Sequence, residues 1–324
     1  MEVKEVDMRI LLAIDGSAAA GRARDLVARL PWPTGSHIRI AAALEHSSDL
    51  VGLRGMVGGD GDSRDIETST IRRLDDALED SVGELTRPGI TVDRVVLRGR
   101  PANAIVTEAK DFGADLIVMG NRGHSGMTAM LLGSVSAEVT THAPCPVLVA
   151  RRDRVARVLF ATDGSPAAEH AEHVLSDWPV FRGLPVDVVS VAEVGMPWST
   201  GMAPGVYDQV LESYSNAIDD ARGQCLGFAR QTADRFTETG YTAEAEVREG
   251  PPAEEIIATA GAHGTDLIVM ATRGHTGLAR VLFGSVARNV LLQAPCSVLV
   301  VREKARIEPV VAHREEPATR ITGG

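Results

Sequence analysis

The 324-residue chain has three cysteines, Cys145, Cys225 and Cys296. None stands in a C-x-x-C pair, which argues against a disulfide framework and against a thiolate zinc site. Cys145 and Cys296 each precede an apolar run, where a small buried hydrophobe accounts for them better than a reactive thiol does. Long hydrophobic runs are missing as well. No stretch approaches the roughly 20 apolar residues that span a bilayer, and the opening segment MEVKEVDMRI lacks the apolar centre of a secretory signal. No membrane association is expected, and a reducing cytoplasm is the expected location. Positive charge is in deficit: 33 Lys and Arg stand against 44 Asp and Glu, a formal net charge of −11. That balance suits a phosphate backbone poorly, so no nucleic-acid partner is expected. Neither the G-x-x-x-x-G-K-[ST] P-loop nor the G-x-G-x-x-G dinucleotide loop occurs.

What is present is repetition. GNRGHSGMTAMLLGS, from Gly120 to Ser134, returns as ATRGHTGLARVLFGS from Ala271 to Ser285, each copy directly after DLIVM. LLAIDGS around Asp15 becomes LFATDGS around Asp163, and APCPVLV from Ala143 becomes APCSVLV from Ala294. Asp15 and Asp163 stand 148 positions apart, and Gly133 and Gly284 stand 151 apart. The period is far too long for a solenoid and matches an ordinary domain. With 44% hydrophobic and 24% charged residues, the chain can build two ordinary cores. The expected division is a first domain over 1–152, a second over 153–302 after a linker near Arg152 to Arg154, and a loose charged tail over 303–324 containing Pro309 and Pro317.

Each copy alternates short apolar runs with amphipathic stretches, the pattern of a parallel sheet covered on both faces. Strands are expected at Arg9 to Ile14, Ile38 to Leu44, Val92 to Leu97, Leu116 to Met119 and Val147 to Ala150. Their counterparts are Arg157 to Ala161, Val186 to Ala192, Ala243 to Val247, Leu267 to Met270 and Val298 to Val301. Ile71, Leu74, Leu78, Val82 and Leu85 recur at helical spacing and predict one buried face. GLRGMVGGDGDS before that helix, and GMPWSTGMAPG in the second copy, read as loops. His170 and His173 fall on a predicted surface helix with no third ligand nearby, which does not make a metal site.

Two positions carry chemistry. Gly120, Gly123 and Gly133-Ser134 lie between a strand and the helix of Val135 to His142. Glycines there let backbone N–H groups approach a ligand, and a helix N-terminus favours an anion. On physical grounds alone a glycine-rich turn is more often a packing device, and duplication copies either kind. Asp15 and Asp163 end the first strand of each copy, where open α/β sheets bind ligands. A carboxylate there can accept from ribose or adenine, or can cap the helix that follows. Arg122-Gly123-His124 and Arg273-Gly274-His275 add groups able to reach a γ-phosphate or to rest in solvent.

With IDGS and TDGS at the first strand, G-x-x-G followed by nine residues and G-S after the fourth, and APCPVLVA as the last, each copy resembles a universal stress protein domain over residues 8 to 302. The resemblance implies two tandem doubly wound domains of the α/β class, each with a five-stranded parallel sheet flanked by helices. It also implies an ATP site. Gly120, Gly123, Gly133, Ser134 and Val135 would hold phosphates and ribose, Asp15 the nucleoside, and the Ala43 backbone the adenine. The second copy offers Asp163, Val191, Gly274, Gly284, Ser285 and Val286, with Ala271 where the first has Gly120. If that position needs positive φ, the methyl costs roughly 1 to 2 kcal/mol; if not, it costs little.

No Gln, Glu or Lys is placed to activate water, so the resemblance implies a binding or regulatory role in stress with Mg²⁺ beside the phosphates and at most slow turnover. The alternatives are a slow ATPase or phosphotransferase using Ser134 or His124, and a nucleotide-free dimeric scaffold. The last strands are expected to pair with each other inside the chain as a pseudo-dimer. A homodimer and an unidentified regulatory protein partner complete the expectation.

Overall fold

The computed structural model describes residues 7–44, 63–123, 132–193, 204–272 and 283–302, with the backbone alone over 63–71 and 204–211. The first half runs β1 (Arg9–Ile14), α1 (Ala18–Arg29), β2 (His37–Leu44), α2 (Ser63–Leu85), β3 (Thr91–Arg98), α3 (Pro101–Phe112), β4 (Leu116–Gly120), α4 (Ser134–His142) and β5 (Val147–Ala150). The second half repeats it as β6 (Val158–Ala161), α5 (Pro166–Asp177), β7 (Pro185–Ala192), α6 (Pro204–Glu238), β8 (Thr242–Glu249), α7 (Pro252–Ala262), β9 (Leu267–Ala271), α8 (Ser285–Gln293) and β10 (Ser297–Val301). A short 3-10 turn, Pro179–Phe181, follows α5.

All ten strands form one sheet in the order β3-β2-β1-β4-β5-β10-β9-β6-β7-β8. Every pairing is parallel except the central one. There β5 and β10 run antiparallel, with Val149 opposite Val298, Leu148 opposite Leu299 and Val147 opposite Val300. The last strand of each half, an unpaired edge in an isolated domain, thus becomes the middle of a continuous sheet. The order 3-2-1-4-5 reverses direction between β1 and β4, and the second half does the same between β6 and β9. These are the switch points at which helices leave to opposite faces.

Helices cover both faces because the strands are apolar on both. On one face Leu12, Val118, Leu148, Phe160 and Leu299 pack against Ala23 and Leu26 of α1, Leu78 and Leu85 of α2, and Phe236 of α6. On the other, Leu11, Ile117, Val149, Ile268 and Val300 meet Ile105 and Ala109 of α3, Val139 of α4, Ile256 of α7 and Val290 of α8. Both layers run through the β5–β10 seam without a break. Local signals set the helix limits. Ser17 and Ser165 cap α1 and α5, Pro101 opens α3, and Gly113 closes it with φ 67°, a left-handed conformation that favours glycine.

The expected helical face on α2 is present: Leu74, Leu78 and Leu85 are buried and Val82 packs beside them, while the Ile71 side chain lies outside the described residues. Two loop limits are corrected. Ser63 begins α2, and Pro204 and Gly205 begin the 35-residue α6, since a proline at a first helical position gives up no hydrogen bond. The remainder of both loops lies outside the described residues.

Ion pairs fasten strands to one another in both halves. Arg39 on β2 holds Asp93 with two bonds, of 2.8 and 2.6 Å, and Glu108 at 2.9 Å. The Arg39 hydrogen bond leads the effects that keep the Asp93 carboxyl below its usual range. On β7 the acid and base exchange places, and buried Asp187 accepts from Arg157 at 2.6 and 2.8 Å. Burial opposes ionisation of Asp187, yet the bonds and charges of Arg157 and His263 outweigh it and the carboxyl is also depressed.

Candidate functional site

The site residues of the first half converge at the carboxyl ends of β1, β2 and β4. Asp15 follows the last residue of β1, Ala43 is the next-to-last of β2, and Gly120 ends β4. Asp15 Oδ1 accepts the Ser17 N–H at 3.0 Å, which folds the Asp-Gly-Ser turn around Gly16 with φ 77°. Capping, the alternative role for this aspartate, falls to Ser17, whose Oγ accepts the Ala20 N–H at 3.2 Å. The second half is built alike: Asp163 Oδ1 accepts from Ser165 N at 3.0 Å, and Ser165 Oγ from Ala168 N at 3.2 Å.

The glycine loop is drawn closed at its base. Gly133 N donates to Asn121 O at 2.8 Å, and Gly284 N donates to Thr272 O at 2.8 Å. Asn121 N is tied to Ala150 O at 3.2 Å and Thr272 N to Val301 O at 2.9 Å, so each loop starts from the adjacent strand. Gly133 and Gly284 are the N-caps of α4 and α8, with φ of −69° and −73° and no side-chain cap bond. The first intrahelical bond of α4 is donated by Ala137 to Gly133 O. The N–H groups of Ser134, Val135 and Ser136 precede it and have no acceptor within the helix, and Ser285 and Val286 hold the same places in α8.

The glycines serve close approach, and Gly120, Gly123 and Gly133, the three described in the first loop, do not have positive φ. A methyl at Gly120 would lie 2.6 Å from the Ala19 carbonyl carbon and 2.7 Å from its oxygen, so β4 and the start of α1 touch backbone to backbone. One at Gly123 would lie 2.5 Å from Asp15 Oδ2. The carboxylate and the loop therefore face each other across a space that only a hydrogen can occupy. Gly133 sits against Arg122 and Asn121. Ala271, in place of Gly120, is the last residue of β9 and pairs with Val301 in regular register, so the positive-φ penalty does not arise there.

Several contributors escaped the sequence reading. Ser17 Oγ also donates to Arg122 O at 3.3 Å, joining the aspartate turn to the loop. Ser136 Oγ donates to Gly120 O at 2.9 Å, fixing α4 to β4, whereas the second half has Ala287. Asn121 is buried, and its Oδ1 has no hydrogen-bond partner among the described residues. The Asp-Gly-Ser string carried the signal for Ser17; nothing in the string carried the others. In the second half the Phe228 ring of α6 lies over Gly164, 2.4 Å from where a Cβ would be. Val191 matches Ala43 in β7. Gly274, His124, Arg273 and His275 lie outside the described residues.

No group of three metal-ligating side chains occurs among the described residues. Nor is any described helix long and apolar enough to cross a membrane.

The profile of the universal stress protein family matches residues 8–151 and again 155–302. A universal stress protein of Thermus aquaticus, from the QAH/OAS sulfhydrylase 3' region, is 36% identical over 143 residues, covering 44% of this chain and 97% of that protein. One of Mycolicibacterium smegmatis is 26% identical over 247 residues, covering 72% of this chain and 76% of its own length. The crystal structure of a universal stress protein from Archaeoglobus fulgidus superposes with a TM-score of 0.60 at 18% identity, over 91% of this chain and 98% of that one, a likeness of fold. With a family match over each half, the chain belongs to the universal stress protein family.

Proposed function

We propose that the chain is an ATP-binding regulatory protein with one nucleotide site per half, in which occupancy sets a conformation or a partner surface during stress. The observation that carries this is the N-terminus of α4, which has no side-chain cap and starts beside Gly123, the loop residue that faces Asp15 at the carboxyl end of β1. Phosphate oxygens would accept the N–H groups of Ser134 and Val135 and the Ser134 hydroxyl, aligned with the positive end of the helix. Gly120, Gly123 and Gly133 would offer backbone to the phosphates, Gly123 leaving room before Asp15 while Gly120 and Gly133 let the base of the loop pack closely. Asp15 would accept from the ribose and Ala43 would meet adenine through its backbone. Asp163, Val191, Gly274, Gly284, Ser285 and Val286 would do the same in the second half. Mg²⁺ would accompany the phosphates and offset their charge, since it commonly keeps several waters and binds through phosphates rather than an all-protein cage.

Chemistry on the γ-phosphate needs a group that orients a nucleophile. The described part of the cradle supplies donors and one carboxylate, Asp15, which this reading gives to the ribose, and that favours sensing over turnover. We divide the chain at 152/153 with a tail after 302, and place it in the cytoplasm as a homodimer. Calorimetric titration with ATP·Mg is the test. The wild type should bind, and Gly123→Glu, which drives a side chain into Asp15, should lose the first site. Absence of binding in the wild type, with no nucleotide released on denaturation, overturns the proposal in favour of a scaffold. Turnover abolished by Ser134→Ala with binding retained would instead favour the enzyme reading.

A further inference from the structure

Arg151 and Arg302 are the first residues after β5 and β10, the two strands of the central seam, and each side chain crosses to the opposite half. Arg302 Nη1 donates to the Thr141 carbonyl and, at 3.3 Å, to that of Ala143, at the C-terminal end of α4. Arg151 donates through Nη2 to the Leu291 carbonyl in the last turn of α8 and through Nη1 to Cys296 O at 3.5 Å. The two arginines hold equivalent places in the two halves, while their acceptors differ by one or two residues around the same helix end. Each guanidinium reaches one carbonyl in the last turn of a helix, Thr141 or Leu291, and one just beyond it, Ala143 or Cys296.

The helices so held are those whose N-termini form the cradles. The last carbonyls of a helix have no acceptor role within it, and a cation there complements the helix dipole. α4 has nine residues, a rod of roughly 13 Å, fixed at its start by Ser136 to Gly120 O and at its end by Arg302. Burial is close around Arg151 and lowers its pKa to about 10, with the neighbouring charge of Arg122 acting in the same direction. Arg122 belongs to the first glycine loop, so Arg151 lies within electrostatic reach of one cradle while gripping the helix of the other. Backbone continuity adds a second link: Ala150 O, one residue before Arg151, accepts from Asn121 N, and Val301 O, one before Arg302, accepts from Thr272 N.

We propose that Arg302 and Arg151 are positioning residues that each half lends to the other's phosphate cradle, Arg302 setting α4 for the first site and Arg151 setting α8 for the second. The two nucleotide sites are thereby coupled, an inference that rests on the nucleotide reading above. By linkage, whatever factor occupancy of the first site applies to affinity at the second, occupancy of the second applies to the first.

The test uses the full chain in two single-site backgrounds, Gly274→Glu leaving the first site and Gly123→Glu leaving the second, titrated with ATP·Mg. Arg302→Gln should weaken the first site roughly 3- to 10-fold and leave the second unchanged. Arg151→Gln should do the reverse, and Arg302→Lys should recover most of the first-site loss. Hydrogen exchange without nucleotide gives an independent reading: Arg302→Gln should speed exchange of the α4 amides but not those of α8, and Arg151→Gln the converse. Equal effects on both sites, effects confined to the arginine's own half, or unchanged affinity and exchange would each overturn the proposal. If the wild type binds no ATP, the nucleotide reading fails by itself, and the exchange pattern still decides whether the arginines position the opposite helices.

Discussion

Replacing Gly120 with alanine places a methyl 2.6 Å from the Ala19 carbonyl carbon, 2.7 Å from its oxygen and 2.9 Å from its Cβ. Carbon atoms in contact prefer about 3.5 to 4.0 Å, so α1 and β4 must part by roughly 1 Å. The obstacle is backbone, which has no rotamer to change. α1 buries Ala19, Ala20, Ala23, Leu26 and Val27, and moving it loosens that whole face. Overpacking of this kind costs about 1 to 3 kcal/mol, which in a domain of this size lowers the midpoint by roughly 2 to 10 °C. The shift also pulls Ser17 from Arg122 O and disturbs the turn that holds Asp15, so first-site ATP affinity should fall with stability. Ala271→Gly is the reciprocal change. It removes a buried methyl from a half built to hold it, and should also destabilise, by about 1 kcal/mol. Calorimetric melting of both variants, with ATP titration of Gly120→Ala, checks the reasoning. A midpoint within 1 °C of wild type for Gly120→Ala would refute it, since α1 would then be free to move.

Ser17→Ala removes a helix cap and the bond to Arg122 O and should cost about 0.5 to 2 kcal/mol. Ser165→Ala tests the equivalent cap, and chemical denaturation should register both, with first-site ATP affinity falling in the former alone. Asp187 has a depressed carboxyl in the folded state, so its contribution is complete above the unfolded value near 4 and disappears as pH falls below it. Asp187→Asn should therefore cost about 1 to 2 kcal/mol at pH 7, discounted because Arg157 is 39% exposed, and the gap from wild type should close below pH 4 in melts across pH. Tyr241 buries its hydroxyl on Leu175 O at 2.8 Å, and burial pushes the phenol up to about 12. Raised above its unfolded value near 10, it supports the fold below pH 10 and ceases to as pH rises toward 12. Tyr241→Phe should cost about 1 to 2 kcal/mol at neutral pH and flatten that alkaline loss.

The sheet was legible in the string because parallel strands buried on both faces read as apolar runs: LLAI, LIVM and VLVA each lie in or across a strand to within a residue or two. Duplication exposed the landmarks, and the resemblance to universal stress protein domains implied that the last strands would pair. The reason for Gly120 was not legible. A glycine that permits close approach and one that permits positive φ are the same letter, and the distance to Ala19 depends on a helix one hundred residues earlier. Ser136, Arg151 and Arg302 escaped for the same reason: their acceptors are carbonyls, which every residue has, so no letter in the sequence marks the partner. Charge pairs such as Arg157 with Asp187 join strands 30 residues apart and show no periodicity to read.

The antiparallel pairing of β5 with β10 joins two segments of one polypeptide, so its formation does not depend on protein concentration. Two separate domains meeting at that seam would come apart on dilution; here the tether keeps each strand at an effective concentration of order millimolar for the other. Being encoded twice, the two faces of the seam are also released from identity. A substitution in a symmetric dimer strikes both subunits at once, whereas this chain can keep Gly120 in one half and Ala271 at the matching place in the other, and Ser136 against Ala287, so that the two halves can diverge in sequence.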